Sequence, residues 1–488
     1  MKKKILFSHS YFMRFDPKQW EGGQPYAPLG TLYAAGLLRD HGYEVFLFDT
    51  MFSQGPEDLL AELLQKQPDY LVIYDDGFNY LTKMCLTNMR EAAFSMIRIA
   101  RQFGIKVIVS SSDSTDHFEQ YLHEGADFVL IGEAEMTLLE LINAENEADP
   151  DYTKIAGLVF LKDKILLKTG RRELIRDLDS LPNPAWDLID LSIYRHVWMK
   201  KHGYFSMNMA TTRGCPFKCN WCAKPIYGNR YHARSPRHVV EELKMLKQLY
   251  GADHIWFCDD IFGLKPGWIN EFANILASER IRIRFKIQAR ADLLLQEGVI
   301  DSLAKAGCEN VWMGAESGSQ KILDAMDKGI TVSQIRETTG KLKQAGIHPS
   351  FFIQFGYLGE TREDISQTIR MIHEMLPYEI GISVSYPLPG TVFYEKVKRD
   401  MKGKTNWTDS DELQLMFRNT YQPKFYKQLH RYVHKSYRRQ LAMENIKYIL
   451  RRPFKINQTL IRSACSFFYF LPAAFIAKQK LNALEKTA

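Results

Sequence analysis

Over the first 146 residues, short apolar runs alternate with stretches of helical period. The pattern predicts strands at residues 4–8, 45–49, 70–74, 106–110 and 127–131. It predicts helices at 29–41, 57–66, 89–103, 116–124 and 136–143, with Gly42, Gly104 and Gly125 where helix ends would fall. Strict alternation of strand and helix implies right-handed crossovers and a parallel sheet covered on both faces. Ligands of such sheets sit at the carboxyl edge of the strands. That edge offers Ser8-His9-Ser10, Asp75-Asp76-Gly77, Ser110-Ser111-Ser112 and Gly132-Glu133. No G-x-G-x-x-G follows the first strand, which weakens a dinucleotide reading. His9 and His117 lack ligand spacing and are expected at the surface or in turns.

Residues 156–161 and 165–169 bracket Lys162-Asp163-Lys164 as a hairpin, followed by a turn-rich stretch with Pro182 and Pro184. A second alternation then begins. Strands are expected at 205–210, 254–258, 284–288, 310–314, 350–355 and 381–386, with helices at 236–250, 266–278, 297–306, 332–345 and 362–376. Six strand–helix units suggest a partial (β/α)6 barrel, with chemistry at the strand C-termini. The expected class is therefore α/β: a doubly wound domain at 1–150, a linker at 151–203, a partial barrel at 204–400 and a helical region at 401–488.

Composition sharpens this picture in two places. The seven cysteines are odd in number, and Cys85, Cys258, Cys308 and Cys465 are scattered without pairing logic. That argues for a reducing compartment and against a disulfide framework. Cys85, Cys308 and Cys465 read as small buried hydrophobes, and Cys258 as either that or a site-lining thiol. The apolar run after Met1 is short for a secretion signal, and no run approaches the ~18 apolar residues of a spanning helix, so a cytoplasmic protein is expected. Net charge is +7, but residues 401–488 hold 17 Lys/Arg against 5 Asp/Glu, a net +12. A polyanionic partner for that tail is one implication.

The densest chemistry lies just after the first barrel strand, in Thr211-Thr-Arg-Gly-Cys215-Pro-Phe-Lys-Cys219-Asn-Trp-Cys222. Three thiolates in eight residues can each hold one corner of a four-iron cluster and leave the fourth iron open. Zinc is the alternative, and needs a fourth ligand such as His232 to close its tetrahedron. The spacing resembles the cluster loop of the radical S-adenosylmethionine (SAM) superfamily. That resemblance implies a 4Fe-4S cluster on Cys215, Cys219 and Cys222, with SAM bound at the open iron and cleaved by one electron. Other strand ends resemble the family's SAM-contacting motifs: Asp259 and Asp260, Gln288 and Arg290, Glu316 and Ser317, and the turn from Gly356 to Glu360. Asp259, Ser317 and Glu360 also precede helices, where they would serve equally as caps.

A doubly wound domain ahead of such a barrel resembles the cobalamin-binding branch of that superfamily. The matching segments are Pro28-Leu-Gly-Thr-Leu-Tyr-Ala-Ala-Gly36 and Gly125-Ala-Asp-Phe-Val-Leu-Ile-Gly-Glu-Ala-Glu135. The resemblance implies cobalamin near Ser8, Asp76, Ser110, Ser111, Gly132 and Glu133. The D-x-H-x-x-G motif that supplies a cobalt ligand elsewhere is absent after the first strand. The family reading implies a methyltransferase acting on an unactivated carbon through a 5′-deoxyadenosyl radical. Ring closure or oxidation of a tetrapyrrole-like or lipid substrate is the alternative, and a sensor that binds the cofactors without cleaving SAM is the third. A reducing partner such as flavodoxin or ferredoxin is implied. The basic, aromatic tail, which holds Arg431, Arg438, Arg439, Arg451, Arg452 and Lys455, suits a helical cap on the barrel or contact with an anionic membrane surface. Nucleic acid is the least favoured partner. The apolar stretch 464–477 is broken by Pro472 and reads as too short to span a membrane.

Overall fold

The computed structural model describes residues 3–485 apart from 85, 225, 402 and 452–456, so Cys85, Arg452 and Lys455 lie outside it. The first sheet contains β1 (Lys4–Ser8), β2 (Glu44–Phe48), β3 (Tyr70–Tyr74), β4 (Lys106–Ser110), β5 (Phe128–Leu130), β6 (Leu158–Lys162) and β7 (Ile165–Lys168), in the spatial order β2-β1-β3-β4-β5-β6-β7. The first five pair in parallel, as the alternating pattern requires. The hairpin β6–β7 extends this sheet with antiparallel pairing instead of standing apart as a connection. Alternate residues serve opposite cores: Ile5 and Phe7 pack with helix residues such as Ala35 and Leu138, while Leu6 packs with Leu59 and Ile97.

The second sheet holds β8 (Ser206–Met209), β11 (His254–Phe257), β12 (Arg284–Ala289), β13 (Cys308–Glu316), β14 (His348–Phe355) and β15 (Ile380–Val384), all parallel and in the order β15-β14-β13-β12-β11-β8. It curls into a half barrel. Between its first two members, β9 (Thr212–Arg213) and β10 (His232–Ala233) form a two-residue antiparallel clasp.

Beyond the barrel, residues 406–410 run back to the first domain. The Thr87 N–H donates to the Trp407 carbonyl at 2.8 Å, and Ser410 donates through its hydroxyl and N–H to the Asp16 carboxylate. The helices Pro423–Arg451 and Phe467–Glu485 then pack together, with Phe425, Leu429 and Leu481 in the barrel's core. Tyr437 donates to the Pro377 and Tyr378 carbonyls at 2.8 Å, which seats the long helix beside β15. The tail is a cap on the barrel.

Three expectations need correction. Phe467–Glu485 continues straight through Pro472, and the helical stretch Leu460–Glu485 is long and apolar enough, by length and composition, to cross a membrane. Cys465 is exposed, whereas Cys308 is buried. His9 is buried too, with its ring bonded to Asp49 and Thr50 at the end of β1.

Candidate active site at the barrel mouth

The cysteine loop is clamped at both ends by buried carboxylates. At its start, Asp259 accepts three hydrogen bonds of 2.7 Å, from the N–H and hydroxyl of Thr211 and from the N–H of Thr212. Burial pushes its pKa up to about 6, against those bonds. At the loop's end, Arg234 is paired with buried Glu242 and donates to the Ala210 carbonyl at 3.0 Å. Between the clamps, Gly214 has φ +79°, and a side chain there would run into the Arg230 carbonyl.

Asn220, between the second and third cysteines, ties the loop to the helices and turns that follow the far barrel strands. Its amide donates to the Ala325 carbonyl and to Asp327, and its oxygen accepts from Tyr357 at 2.7 Å. Its carbonyl accepts from the Phe393 N–H at 2.9 Å. The thiols of Cys215, Cys219 and Cys222 are half-buried and free. Burial raises the Cys215 thiol, and pushes Cys222 up to about 12. Their ionisation is therefore tied to the arrival of a cation. Among the described residues, no three His, Cys, Asp or Glu side chains gather around a point as one metal ion demands. A cluster takes each thiolate on a different iron, so its ligands stand further apart.

The other mouth residues divide into two kinds. Arg290 is held by Asp292 at 3.0 and 3.1 Å, and its guanidinium lies 3.7 Å from the ring centroid of Phe217 in the cysteine loop. Glu316, in the left-handed region at φ +56° after a register shift in β13, accepts from Lys328 at 2.8 Å. Lys328 in turn lies 5.9 Å from the Trp221 ring. Asp260 pairs with Lys83 of the first domain at 2.5 Å. Gln288 is half-buried in the same bowl. These charges converge on the cysteine loop.

Asp259, Ser317 and Glu360 instead hold backbone. Ser317 bonds the Thr368 hydroxyl at 3.1 Å and accepts from the Ser319 N–H, and Glu360 accepts from the Gly356 N–H at 2.6 Å. None of the three caps the next helix. Thr361 caps Arg362–Met375, in a capping box with Asp364. Glu360 keeps one buried oxygen without a hydrogen bond, and burial pushes its pKa up to about 8.

The carboxyl edge of the first sheet faces this loop. Arg213, two residues before Cys215, reaches across to Glu133 at 2.6 Å and Glu135 at 2.8 Å, with all three side chains at most 4% exposed. The rings of Tyr33, Phe78 and Tyr227 surround its guanidinium at 5.4–5.8 Å. Gly77 and Gly132 form a cradle on that edge, and Ile226 of the cysteine loop lies in it: a side-chain carbon on Gly77 would stand 2.7 Å from Ile226 Cδ1. Of the other edge residues, Ser8 donates to the Phe48 carbonyl, Asp76 accepts from the Gly30 and Phe78 N–H groups, and Ser111 caps Ser112–Asp116. Ser110 is buried beside them.

Residues 209–372 match the model of the Radical SAM superfamily, a span that opens before the cysteine loop and closes after the Gly356 turn. This stretch is a radical SAM domain. An uncharacterized methyltransferase of Pyrococcus horikoshii is 27% identical over 78% of this chain and 80% of its own length. The anaerobic magnesium-protoporphyrin IX monomethyl ester cyclase of Cereibacter sphaeroides is 26% identical over 81% of this chain but only 64% of its own. Two solved structures share the architecture. The cobalamin-dependent SAM radical enzyme OxsB superposes with a TM-score of 0.75 over 98% of this chain and 72% of its own, at 15% identity. The radical SAM methyltransferase TsrM from Kitasatospora setae gives 0.67 over 82% and 78%, at 19% identity.

The donor set fits a radical SAM cluster, since three free thiols lie on a loop held at both ends. Arg213, Arg234, Asn220, Lys83 and Lys328 are not among the residues that the sequence pattern singles out. Only Arg213 and Asn220 carry a signal there, by lying inside the cysteine motif.

Proposed function

We propose that this chain is a cobalamin-dependent radical SAM enzyme, a methyltransferase acting on an unactivated carbon. The observation that carries the proposal is the cysteine loop itself, which lies at the C-terminal ends of the barrel strands and directly opposite the carboxyl edge of the first sheet. When bound, the cluster supplies one-electron cleavage of SAM, and cobalamin supplies a transferable methyl group. Cys215, Cys219 and Cys222 would hold the cluster. Asp260, Gln288, Arg290 and the Glu316–Lys328 pair present the charges and hydrogen-bonding groups that an amino acid carboxylate and amine require, while Gly356 allows close backbone approach. Asp259, Ser317 and Glu360 set the backbone that carries them. Gly77 and Gly132 would let a flat macrocycle come close to the backbone if Ile226 moved out of the cradle, with Asp76, Ser110 and Ser111 beside it and Glu133 fixing the seam through Arg213. Burial of this mouth between two domains excludes water from reactive species.

The test is anaerobic reconstitution with iron, sulfide and hydroxocobalamin, followed by metal counts and SAM turnover. Four irons and one cobalt per chain, with S-adenosylhomocysteine formed beside 5′-deoxyadenosine, is the expected result. 5′-Deoxyadenosine alone would favour the cyclase-like alternative, for which the identity to the magnesium-protoporphyrin cyclase speaks. Bound cofactors without SAM cleavage in the presence of reduced flavodoxin or ferredoxin would leave only a sensor. Cys219→Ala should lose both cluster and cleavage.

The tail supports a second role, peripheral contact with a membrane from the cytoplasmic side. Phe468 and Phe475 are 77% and 61% exposed, and Tyr469, Leu471 and Ile476 extend the same apolar surface. Arg438 lies beside it, 5.7 Å from the Phe470 ring. Apolar side chains flanked by basic ones suit an anionic bilayer surface. Flotation with phosphatidylglycerol liposomes, lost in a Phe468→Ser/Phe475→Ser variant, is the expected outcome. Failure to float at low salt would remove this role.

A further inference from the structure

The inside wall of the half barrel carries polar atoms that the described residues leave without a hydrogen bond or an ion pair. In β12, Phe285 faces the outer helices, with its ring 6.1 Å from Phe272, so Lys286 and Gln288 face inward. Strand register then sets three inward rows. Asn208, Trp256, Lys286 and Asn310 form the deepest, Gln288, Trp312 and Ser350 the next, and Gly314, Phe352 and Gly381 the one nearest the mouth.

Two features of these rows call for a ligand. Lys286 has its ammonium 5.2 and 5.3 Å from the ring centroids of Tyr26 and Trp256, and no described carboxylate lies within ion-pair reach. Burial lowers its pKa, which an anion would reverse. On the same row, the amide oxygens of Asn208 and Asn310 are buried without hydrogen bonds and call for a donor such as a water carried in with the ligand, while the Ser350 hydroxyl, one row nearer the mouth, is buried without a bond and can donate to a ligand oxygen. Groups of this kind are rare in folded proteins unless something else bonds them. Nearer the mouth, Trp312 and Phe352 stack at 4.7 Å and 29°, yet Phe352 is 36% exposed on an inward row. Gly381 keeps that face open, since a side-chain carbon there would lie 3.2 Å from Trp312 and 3.4 Å from Phe352.

We infer that the barrel lumen binds a flat, apolar ring system carrying a carboxylate on a short flexible arm. The ring stacks on Trp312 and Phe352 below the SAM site, and the carboxylate reaches down to Lys286. Trp312 is two residues further along and one strand over from Lys286, so their Cα atoms stand roughly 8 Å apart by strand geometry, and the arm must be several bonds long to join the two. This names the substrate class of the proposed enzyme, and rests on the radical SAM reading for its place below SAM.

The test uses the full-length, cluster-loaded chain in anaerobic equilibrium dialysis against 1-pyrenebutyrate and its neutral counterpart 1-pyrenebutanol. Wild type should bind the acid at least tenfold more tightly than the alcohol. Lys286→Met should abolish that preference, and Lys286→Arg should keep it. Trp312→Ala should weaken both probes about equally, by fivefold or more. Equal binding of acid and alcohol by wild type, binding of neither, or a preference that survives in Lys286→Met overturns the inference. SAM cleavage measured on the wild-type preparation separates the two readings. Cleavage without a carboxylate preference overturns the lumen site alone, and a Lys286-dependent preference without cleavage supports the lumen site while overturning the enzyme reading.

Discussion

Arg213 should decide whether the two domains hold the cysteine loop together. Replacing it with Met leaves Glu133 and Glu135 buried and facing each other without a cation. Breaking a buried ion pair from one side costs about 3–5 kcal/mol, most of it the penalty of the stranded charge. The loss should be local, because the contact closes a seam between two sheets that each keep their own core. Backbone hydrogen exchange followed by mass spectrometry reads it directly. Peptides covering 128–135 and 209–215 should lose about a hundredfold to a few thousandfold of protection, at ~1.4 kcal/mol per factor of ten. Peptides in β3 and β13 should change little. Removing the stranded charges as well, in Arg213→Met/Glu133→Gln/Glu135→Gln, should recover most of the protection. The pH dependence carries a definite sign. Burial already raises the Glu133 pKa in the folded chain above its ordinary value, and loss of the guanidinium raises it further. A carboxyl raised on folding contributes stability fully below its unfolded pKa, and loses it as pH rises through the folded value. The single variant should therefore be less impaired at pH 6 than at pH 8. A loss under fivefold, or a triple variant no better than the single one, would refute the reasoning.

Three further outcomes follow from the same geometry. Asp259→Ala strands three donors in a fully buried site at about 1–3 kcal/mol each, so the chain should retain less than half of its reconstituted iron. Asp259→Asn should keep most of it, because one oxygen already serves both backbone N–H groups. Glu360→Gln should stabilise the chain far more at pH 8 than at pH 5, because over that range the unfolded chain ionises this carboxyl freely while burial, with a pKa of about 8, makes the folded chain keep its proton. The gain could reach ~4 kcal/mol, at about 1.4 kcal/mol for each tenfold change in proton affinity on folding, and a thermal shift of equal size at both pH values would contradict it. Gly214→Ala combines a left-handed backbone, which costs ~1–2 kcal/mol for an alanine, with collision against the Arg230 carbonyl. It should lower iron retention at least as much as Asp259→Ala.

Both alternations of strand and helix were legible because their cause is local. A strand buried on both faces must be apolar throughout, as Tyr70–Tyr74 is, and a covering helix must repeat its apolar side every 3.6 residues. The cysteine motif was legible for a similar reason, since its three thiols lie within one loop. The hairpin at 158–168 was visible as a hairpin but not as an edge of the first sheet. Its pairing with β5 depends on where the preceding helix returns the chain, and no short window contains that. Helix propensity also misled at Pro472, where packing against Pro423–Arg451 carries the helix through a residue that ordinarily ends one.

The site residues missed from the sequence share a different cause. Arg213 draws its meaning from Glu133 and Glu135, some 80 positions earlier, and Lys83 from Asp260, 177 positions later. Neither pair leaves a spacing signal, because contacts between domains carry no period. Lys286 is different, and could have been found. Its strand reads Arg-Phe-Lys-Ile-Gln-Ala, a clean alternation. In an open sheet the polar half of such a strand faces water. In a barrel it faces the lumen, so once the six-strand pattern implied a barrel, a lysine two residues before Gln288 belonged to the interior. The strand ends hold the residues that resemble the family's pattern, and the inward rows below them hold the wall on which the lumen proposal rests.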